Sequence, residues 1–326
     1  MKTPDFWYRP PGLTSTALAP LGWGWSAAAS LMRAVARPQA MVVPVICVGN
    51  LVAGGAGKTP VALDLLQRLR ARDIAAHALT RGHGGRLKGP VRVDPARHTP
   101  ADVGDEPLLL AASAPTWVAR DRASGARAAA AEGAKLLVLD DGFQHHRLAK
   151  DLSLVVVDGA VGFGNGQVMP AGPLREKVRP GLGRADVLLM LGEDREKVGD
   201  IARQQGMPVL RARVVGTMPP DLQKGARVIA FAGLGRPEKF FRTCREMGLE
   251  LVATHAFPDH HPYGEREMAR LLASATAQRA RAVTTEKDLV RVPAAARARV
   301  TAIPARVHWT DEAMLERLLA DTVDHA

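Results

Sequence analysis

The amino-acid sequence predicts an α/β fold, a parallel sheet sandwiched by helices, followed by a second, smaller α/β domain. Short and nearly uninterrupted apolar runs recur at residues 42–48, 74–80, 136–140, 153–158, 186–190 and 209–213. Longer Ala/Leu/Arg-rich stretches, such as 60–72 and 122–132, lie between some of them. Continuous apolar strands that alternate with helices argue for a parallel sheet covered on both faces. At 215–225 the composition turns to Gly, Pro and polar residues, and a second strand–helix series follows at 227–232, 237–247, 249–254, 265–276 and 281–285. A chain of 326 residues has room for both units.

In chain order, the first expected unit is residues 1–40, which hold Phe6, Trp7, Tyr8, Trp23 and Trp25 with Lys2, Arg9, Arg33 and Arg37 against the single acid Asp5. The apolar stretch at 14–35 is broken by Pro20, Gly22 and Gly24, and lacks the sustained apolar character of a membrane span. Aromatic and proline residues stand where a signal peptide carries its basic start. Two readings fit: a membrane-interface segment with Trp anchors, or a helix packed on its own domain. The second unit is 41–215, the phosphate-loop domain, and the third is 222–326, the smaller C-terminal α/β domain.

Composition narrows the class. Hydrophobic residues at 47% and charged residues at 24% exclude a disordered or fibrous chain. The formal charge of +11 favours anionic partners (nucleotide phosphates, lipid headgroups or nucleic acid) without choosing among them. Cys47 and Cys244 are the two cysteines, too few for a disulfide framework and outside any metal-ligand spacing.

The sharpest local signal runs from Val52 through Ala53, Gly54, Gly55, Ala56, Gly57 and Lys58 to Thr59, between a strand and a helix. Such a P-loop NTPase-like turn lets backbone amides face phosphate oxygens, with the helix N-terminus aimed at the same place. Lys58 then reaches the β/γ-phosphates of ATP, and Thr59 ligates Mg²⁺. Val52 departs from the usual pattern, which has Gly there.

A phosphate loop needs a carboxylate on a neighbouring strand. The run 136–140 ends in Asp140 and Asp141, which suit either a metal site or an ordinary turn. Gln144 and His145 follow closely, able to orient phosphate or acceptor. Asp105 precedes a helix expected to start near Leu108, as its N-cap or as a base for an acceptor hydroxyl. Arg175 and Glu176, after a Pro/Gly turn, are further candidates for phosphate and metal contact.

Seven segments in order resemble the tetraacyldisaccharide 4'-kinase family: the loop with Gly49-Asn-Leu before it, Thr80-Arg-Gly, Val103-Gly-Asp-Glu-Pro, Asp140-Asp-Gly-Phe-Gln-His, residues 170–176, Phe257-Pro-Asp-His-His-Pro-Tyr, and Thr285-Glu-Lys-Asp. The resemblance implies transfer of the ATP γ-phosphate to the 4'-hydroxyl of an acylated disaccharide 1-phosphate, yielding lipid IVA. It implies peripheral attachment to the anionic cytoplasmic face of an inner membrane, and no nucleic acid as partner. Residue by residue, it makes Lys58 and Thr59 contacts of ATP and Mg²⁺, and Asp140 the metal carboxylate. Asp141, Gln144 and Glu176 fall close to metal and acceptor, with Glu176 as a further metal ligand. Asp105 becomes the catalytic base, assisted by His260, with His261 the alternative. Thr285–Asp288 receives no role beyond capping a helix.

Overall fold

The computed structural model describes residues 4–324; Lys2 lies outside them. Strands run in the order β1 (Val45–Gly49), β2 (Ala76–Thr80), β3 (Val91–Arg92), β4 (Thr116–Val118), β5 (Leu136–Asp140), β6 (Leu152–Asp158), β7 (Val187–Leu191), β8 (Val209–Gly216), β9 (Arg227–Ala232), β10 (Glu250–Ala256), β11 (Arg281–Thr285), β12 (Val300–Ile303) and β13 (Ala305–Trp309). The larger sheet has the order β13-β8-β7-β6-β1-β5-β2-β4-β3, parallel except for the antiparallel edges β13 and β3.

Alternation along the central strands explains their apolar runs. Ile46, Val48, Leu136, Val138, Leu154 and Val156 pack on one face with Val61, Leu65, Leu66 and Leu69 of the helix Lys58–Ala71. Cys47, Leu137, Leu139, Val155, Val157 and Leu188 form the opposite core. Each such side chain removed from water contributes about 1.5–3 kcal/mol, so both faces must be covered. The phosphate loop therefore emerges from a rigid central strand.

The second sheet, β10-β9-β11-β12, is wholly parallel. The helices Pro237–Glu246 and Glu265–Ala277 cover its two faces through Phe240, Phe241 and Cys244 and through Met268, Leu271 and Leu272. The expected unit 222–326 needs correction at its end. Pro304 separates β12 from β13, and β13 pairs antiparallel with β8 of the larger sheet. Proline cannot continue a hydrogen-bonded ladder, so the chain changes sheets there. The final helix Glu312–Asp324 then packs Leu315 and Leu319 into the larger core, and Trp309 Nε1 donates to Asp64 at 2.8 Å.

The N-terminal stretch is one continuous helix, Leu13–Val35, running through Pro20 rather than breaking there. A Cβ on Gly22 would stand 2.8 Å from the Val168 carbonyl oxygen, a close approach that only glycine permits. Trp25 Nε1 donates to the Arg175 carbonyl and Trp7 Nε1 to that of Pro170, each at 3.1 Å. The outer face leaves Leu13, Leu21, Trp23, Leu31, Met32 and Val35 exposed. Among the described residues no helix is long and apolar enough to cross a membrane.

Candidate active site

The loop after β1 leads into the helix Lys58–Ala71 through Gly57, whose backbone is left-handed at φ 88°. A side chain there would also strike Leu191 Cδ1, 2.6 Å from the Cβ position. Gly54 and Gly55 are exposed, with no atom within 4 Å of a Cβ placed on either, so the loop's outer side is open to a ligand. Two residues expected at the phosphates spend their amides internally: Ala53 donates to the Pro173 carbonyl at 2.7 Å, and Ala56 to that of Gly54 at 3.1 Å. Val52 is buried and bridges Leu174, which accounts for an apolar residue where a glycine is usual.

Parallel pairing sets Val48 of β1 beside Asp140 of β5, bringing that carboxylate to the loop. Thr59 Oγ1 donates to Asp140 Oδ2 at 3.0 Å, while Oδ1 is buried without a partner among the described residues. Burial, reinforced by Glu106, pushes the Asp140 pKa well above the usual carboxylate range, and Lys58 only partly opposes this. A buried anion with one empty oxygen beside a threonine hydroxyl fits a hard divalent cation. Among the described residues no group of three His, Cys, Asp or Glu side chains could hold a metal. The fit therefore rests on Thr59 and Asp140.

Asp141 turns away with a left-handed backbone, φ 56°. Arg175 grips it with Nη1 at 2.7 Å and Nη2 at 3.0 Å, and Lys58 Nζ lies 3.6 Å from Oδ1. Burial disfavours the charge, but Lys58 and Arg175 outweigh it and hold the carboxyl at about 2. Arg175 also donates to Gln144 Oε1 at 3.1 Å, and Gln144 Nε2 donates to the Asn50 carbonyl at 2.8 Å and to Glu176 at 3.2 Å. Glu176, expected as a metal ligand, is held by arginines. Its oxygens pair with Arg184 at 2.8 Å and with Arg33 of the N-terminal helix at 3.6 Å. Two guanidiniums already neutralise it, so it ties the Gln144 network to that helix. His145 Nε2 is buried without a partner among the described residues, and burial lowers the ring's pKa to about 4.

Across the cleft, Asp105 is the first residue of the helix Asp105–Ala111, and Gly104 is its N-cap. The carboxylate's Oδ1 accepts from the Glu106 amide at 3.0 Å, and its Oδ2 lies 2.9 Å from His260 Nδ1 on the loop after β10. Burial pushes the Asp105 pKa up, but the His260 hydrogen bond with Lys287 and Arg291 nearby overrides it, leaving the carboxyl at about 2. The same bond raises the pKa of His260. His261 stacks on Phe257 with ring centroids 4.7 Å apart and meets Glu267 at 2.8 Å, away from Asp105. The structure therefore pairs His260 with Asp105. Lys287 Nζ reaches Glu106 at 3.0 Å, so Thr285–Asp288 does more than cap a helix. Arg291, 3.5 Å from Asp105, went unnoticed in the sequence, where its only signal is the i,i+3 spacing from Asp288.

Fold and loop place the chain in the P-loop class of α/β proteins, with an imidazole from the second sheet's loop meeting a carboxylate of the larger domain. The profile of the family described as Tetraacyldisaccharide-1-P 4'-kinase matches residues 14–324. A Tetraacyldisaccharide 4'-kinase of Rhodospirillum centenum is 59% identical, over 98% of this chain and 96% of its own length. One from Paramagnetospirillum magneticum is 52% identical, over 98% of each. The crystal structure of LpxK from Aquifex aeolicus in complex with ATP superposes with a TM-score of 0.77 at 25% identity, covering 95% of this chain and all of that one. The chain belongs to the tetraacyldisaccharide-1-P 4'-kinase family, and it is a kinase.

Proposed function

We propose that the protein transfers the γ-phosphate of ATP to the 4'-hydroxyl of a tetraacyldisaccharide 1-phosphate, forming lipid IVA at the cytoplasmic face of an inner membrane. The observation that carries the reading is the pairing of Asp105 with His260 at 2.9 Å, beside a loop that presents Lys58 and the Thr59–Asp140 pair. Phosphoryl transfer asks for alignment and charge neutralisation rather than covalent chemistry. Lys58 supplies one positive charge to the β/γ-phosphates, released from Asp141, and the open amides at Gly54 and Gly55 supply donors. Magnesium, when bound, neutralises developing phosphate charge, with Thr59 and Asp140 holding it. The acceptor's O–H bond breaks as its oxygen forms a bond to the γ-phosphorus, and the bond from that phosphorus to the leaving ADP oxygen breaks. The neutral His260 imidazole, made more basic by the Asp105 carboxylate at Nδ1, takes the proton at its other nitrogen, and the carboxylate stabilises the imidazolium that forms.

The exposed apolar residues and the tryptophans of the helix Leu13–Val35 suit the surface of a bilayer in which the acyl chains remain. Arg33 and Trp25 link that helix to Glu176 and Arg175, so a membrane-seated helix and the nucleotide loop share one support.

The test is an assay with labelled ATP and acylated disaccharide 1-phosphate in mixed micelles. The expected result is label in the lipid, dependent on both ATP and divalent cation. ATP turnover that ignores the acceptor and leaves no phosphorylated lipid would refute the reading.

A further inference from the structure

The loop that carries His260 is held by a buried polar cluster built from Thr285–Asp288 and the residues just after it. Asp288 is fully buried. Its Oδ1 accepts from the Gly233 amide at 2.8 Å, the Tyr263 hydroxyl at 2.7 Å and Arg291 Nη2 at 2.6 Å. Its Oδ2 accepts from the Thr285 hydroxyl at 2.6 Å. The Arg291 side chain is only 3% exposed. Its Nη2 also donates to the Gly233 carbonyl at 3.0 Å, and its Nη1 to the His261 carbonyl at 3.2 Å.

These carbonyls bracket His260. The Gly233 carbonyl also accepts the His260 amide at 3.2 Å, and His260 has a left-handed backbone at φ 57°. A non-glycine residue keeps that conformation only where its surroundings enforce it. One guanidinium thus ties the carbonyl that accepts the His260 amide to the carbonyl of the next residue along the loop. One nitrogen of the fork is left without a bond. Arg291 Nε has no hydrogen-bond partner among the described residues and lies 3.5 Å from Asp105 Oδ2, the oxygen that His260 Nδ1 approaches. A buried donor without a partner is costly, and this one lies beside an oxygen of Asp105. The separation is long for a hydrogen bond, and catalytic contacts commonly tighten when substrate binds.

We propose that Arg291 is a positioning residue for proton transfer: it fixes the imidazole of His260 and, on closure of the cleft, shares Asp105 Oδ2 with it. The inference rests on reading Asp105 and His260 as the proton-accepting pair. An arginine suits this role because its planar fork makes several fixed bonds at once, which one lysine ammonium cannot. It also places a permanent positive charge beside the pair. The other charged and titratable groups facing the pair are Lys287 on the helix Glu286–Leu289, Asp259 on the loop, Glu106 beside Asp105, and His83, whose ring centroid lies 6.0 Å from that of His260. Removing the Arg291 charge lets the pair keep its proton to higher pH, so the acidic limb of the activity profile moves up.

The experiment compares kcat and KM with ATP and acylated disaccharide 1-phosphate across mildly acid to mildly alkaline pH. The proteins are the unaltered chain, Arg291→Lys and Arg291→Met, with Asp105→Asn and His260→Ala as controls. Arg291→Met is expected to lower kcat by about 10- to 100-fold, the cost of a misaligned reacting pair, with KM for ATP little changed. Its acidic limb should rise by about one pH unit, as on loss of a neighbouring opposite charge. Arg291→Lys should keep the limb in place yet lose about 10-fold in kcat, because its ammonium cannot hold the Gly233 and His261 carbonyls together. An equal loss at every pH in a folded Arg291→Met protein, with the limb unmoved, would reduce Arg291 to a structural part and overturn the inference. Should Arg291→Met fail to fold, Arg291→Lys decides, and unaltered kcat there overturns it. Normal turnover in both controls would remove the proton-accepting pair, and this inference with it. Impaired controls beside an unaffected Arg291→Lys would remove this inference alone.

Discussion

Asp105→Asn keeps the shape of the side chain and removes its charge, which separates chemistry from packing. Asp105 is 4% exposed, 2.9 Å from His260 Nδ1 and 3.5 Å from Arg291 Nε, with Lys287 nearby. A carboxyl brought from its ordinary 3.8 down to about 2 is favoured by its folded surroundings by about 2 kcal/mol. That contribution is fully present above pH 3.8 and is lost as pH falls through about 2. The pKa of His260 is raised, so its contribution is full below the ordinary 6.5 and is lost as pH rises through the higher folded value. The stability gap between the unaltered chain and Asp105→Asn should therefore be widest between about pH 4 and 6.5 and narrow on either side. Near pH 6 it should be about 2 kcal/mol, roughly 4–8 °C in melting temperature for domains of this size. Turnover at neutral pH should fall by about 10²- to 10⁴-fold, as for loss of a proton acceptor. Melting curves across pH and the labelled-phosphate assay read the two effects. A gap that ignores pH, or near-normal turnover, would refute the reasoning.

Lys58→Ala should abolish most ATP-dependent turnover and weaken ATP binding in calorimetry while leaving the melting temperature near normal; normal ATP use would discredit the loop assignment. Replacing the exposed Leu21, Trp23 and Leu31 together by serine should lower binding to vesicles of anionic phospholipid by at least about 10-fold, since each apolar side chain buried at an interface is worth about 1.5–3 kcal/mol. Unchanged vesicle binding would count against an interfacial helix. Gly22→Leu should strain the docking of that helix, because its Cβ would stand 2.8 Å from the Val168 carbonyl oxygen. A destabilisation of about 1–3 kcal/mol, the usual cost of overpacking, is expected in denaturant titrations.

Most of the larger sheet was legible because its strands are buried on both faces and announce themselves as unbroken apolar runs. β3 and β4, with two and three residues, were too short to stand out. The glycine loop and the place of Asp140 at the end of β5 were legible because strand, turn and helix follow one another in the chain. The surroundings of Glu176 could not be read, because the arginines that pair with it come from a helix at the N-terminus and from a turn eight residues on.

Local order along the chain determined the parallel sheet, the phosphate loop with Lys58 and Thr59, and the acid that closes β5. Tertiary structure alone decided that His260 rather than His261 meets Asp105 across 155 residues, that β13 returns to the larger sheet, and that Arg291 lies 3.5 Å from Asp105. The physical reason is range. Backbone periodicity and turn chemistry are written in neighbouring residues, whereas the choice between two adjacent histidines depends on which ring a distant carboxylate and a buried guanidinium hold in place.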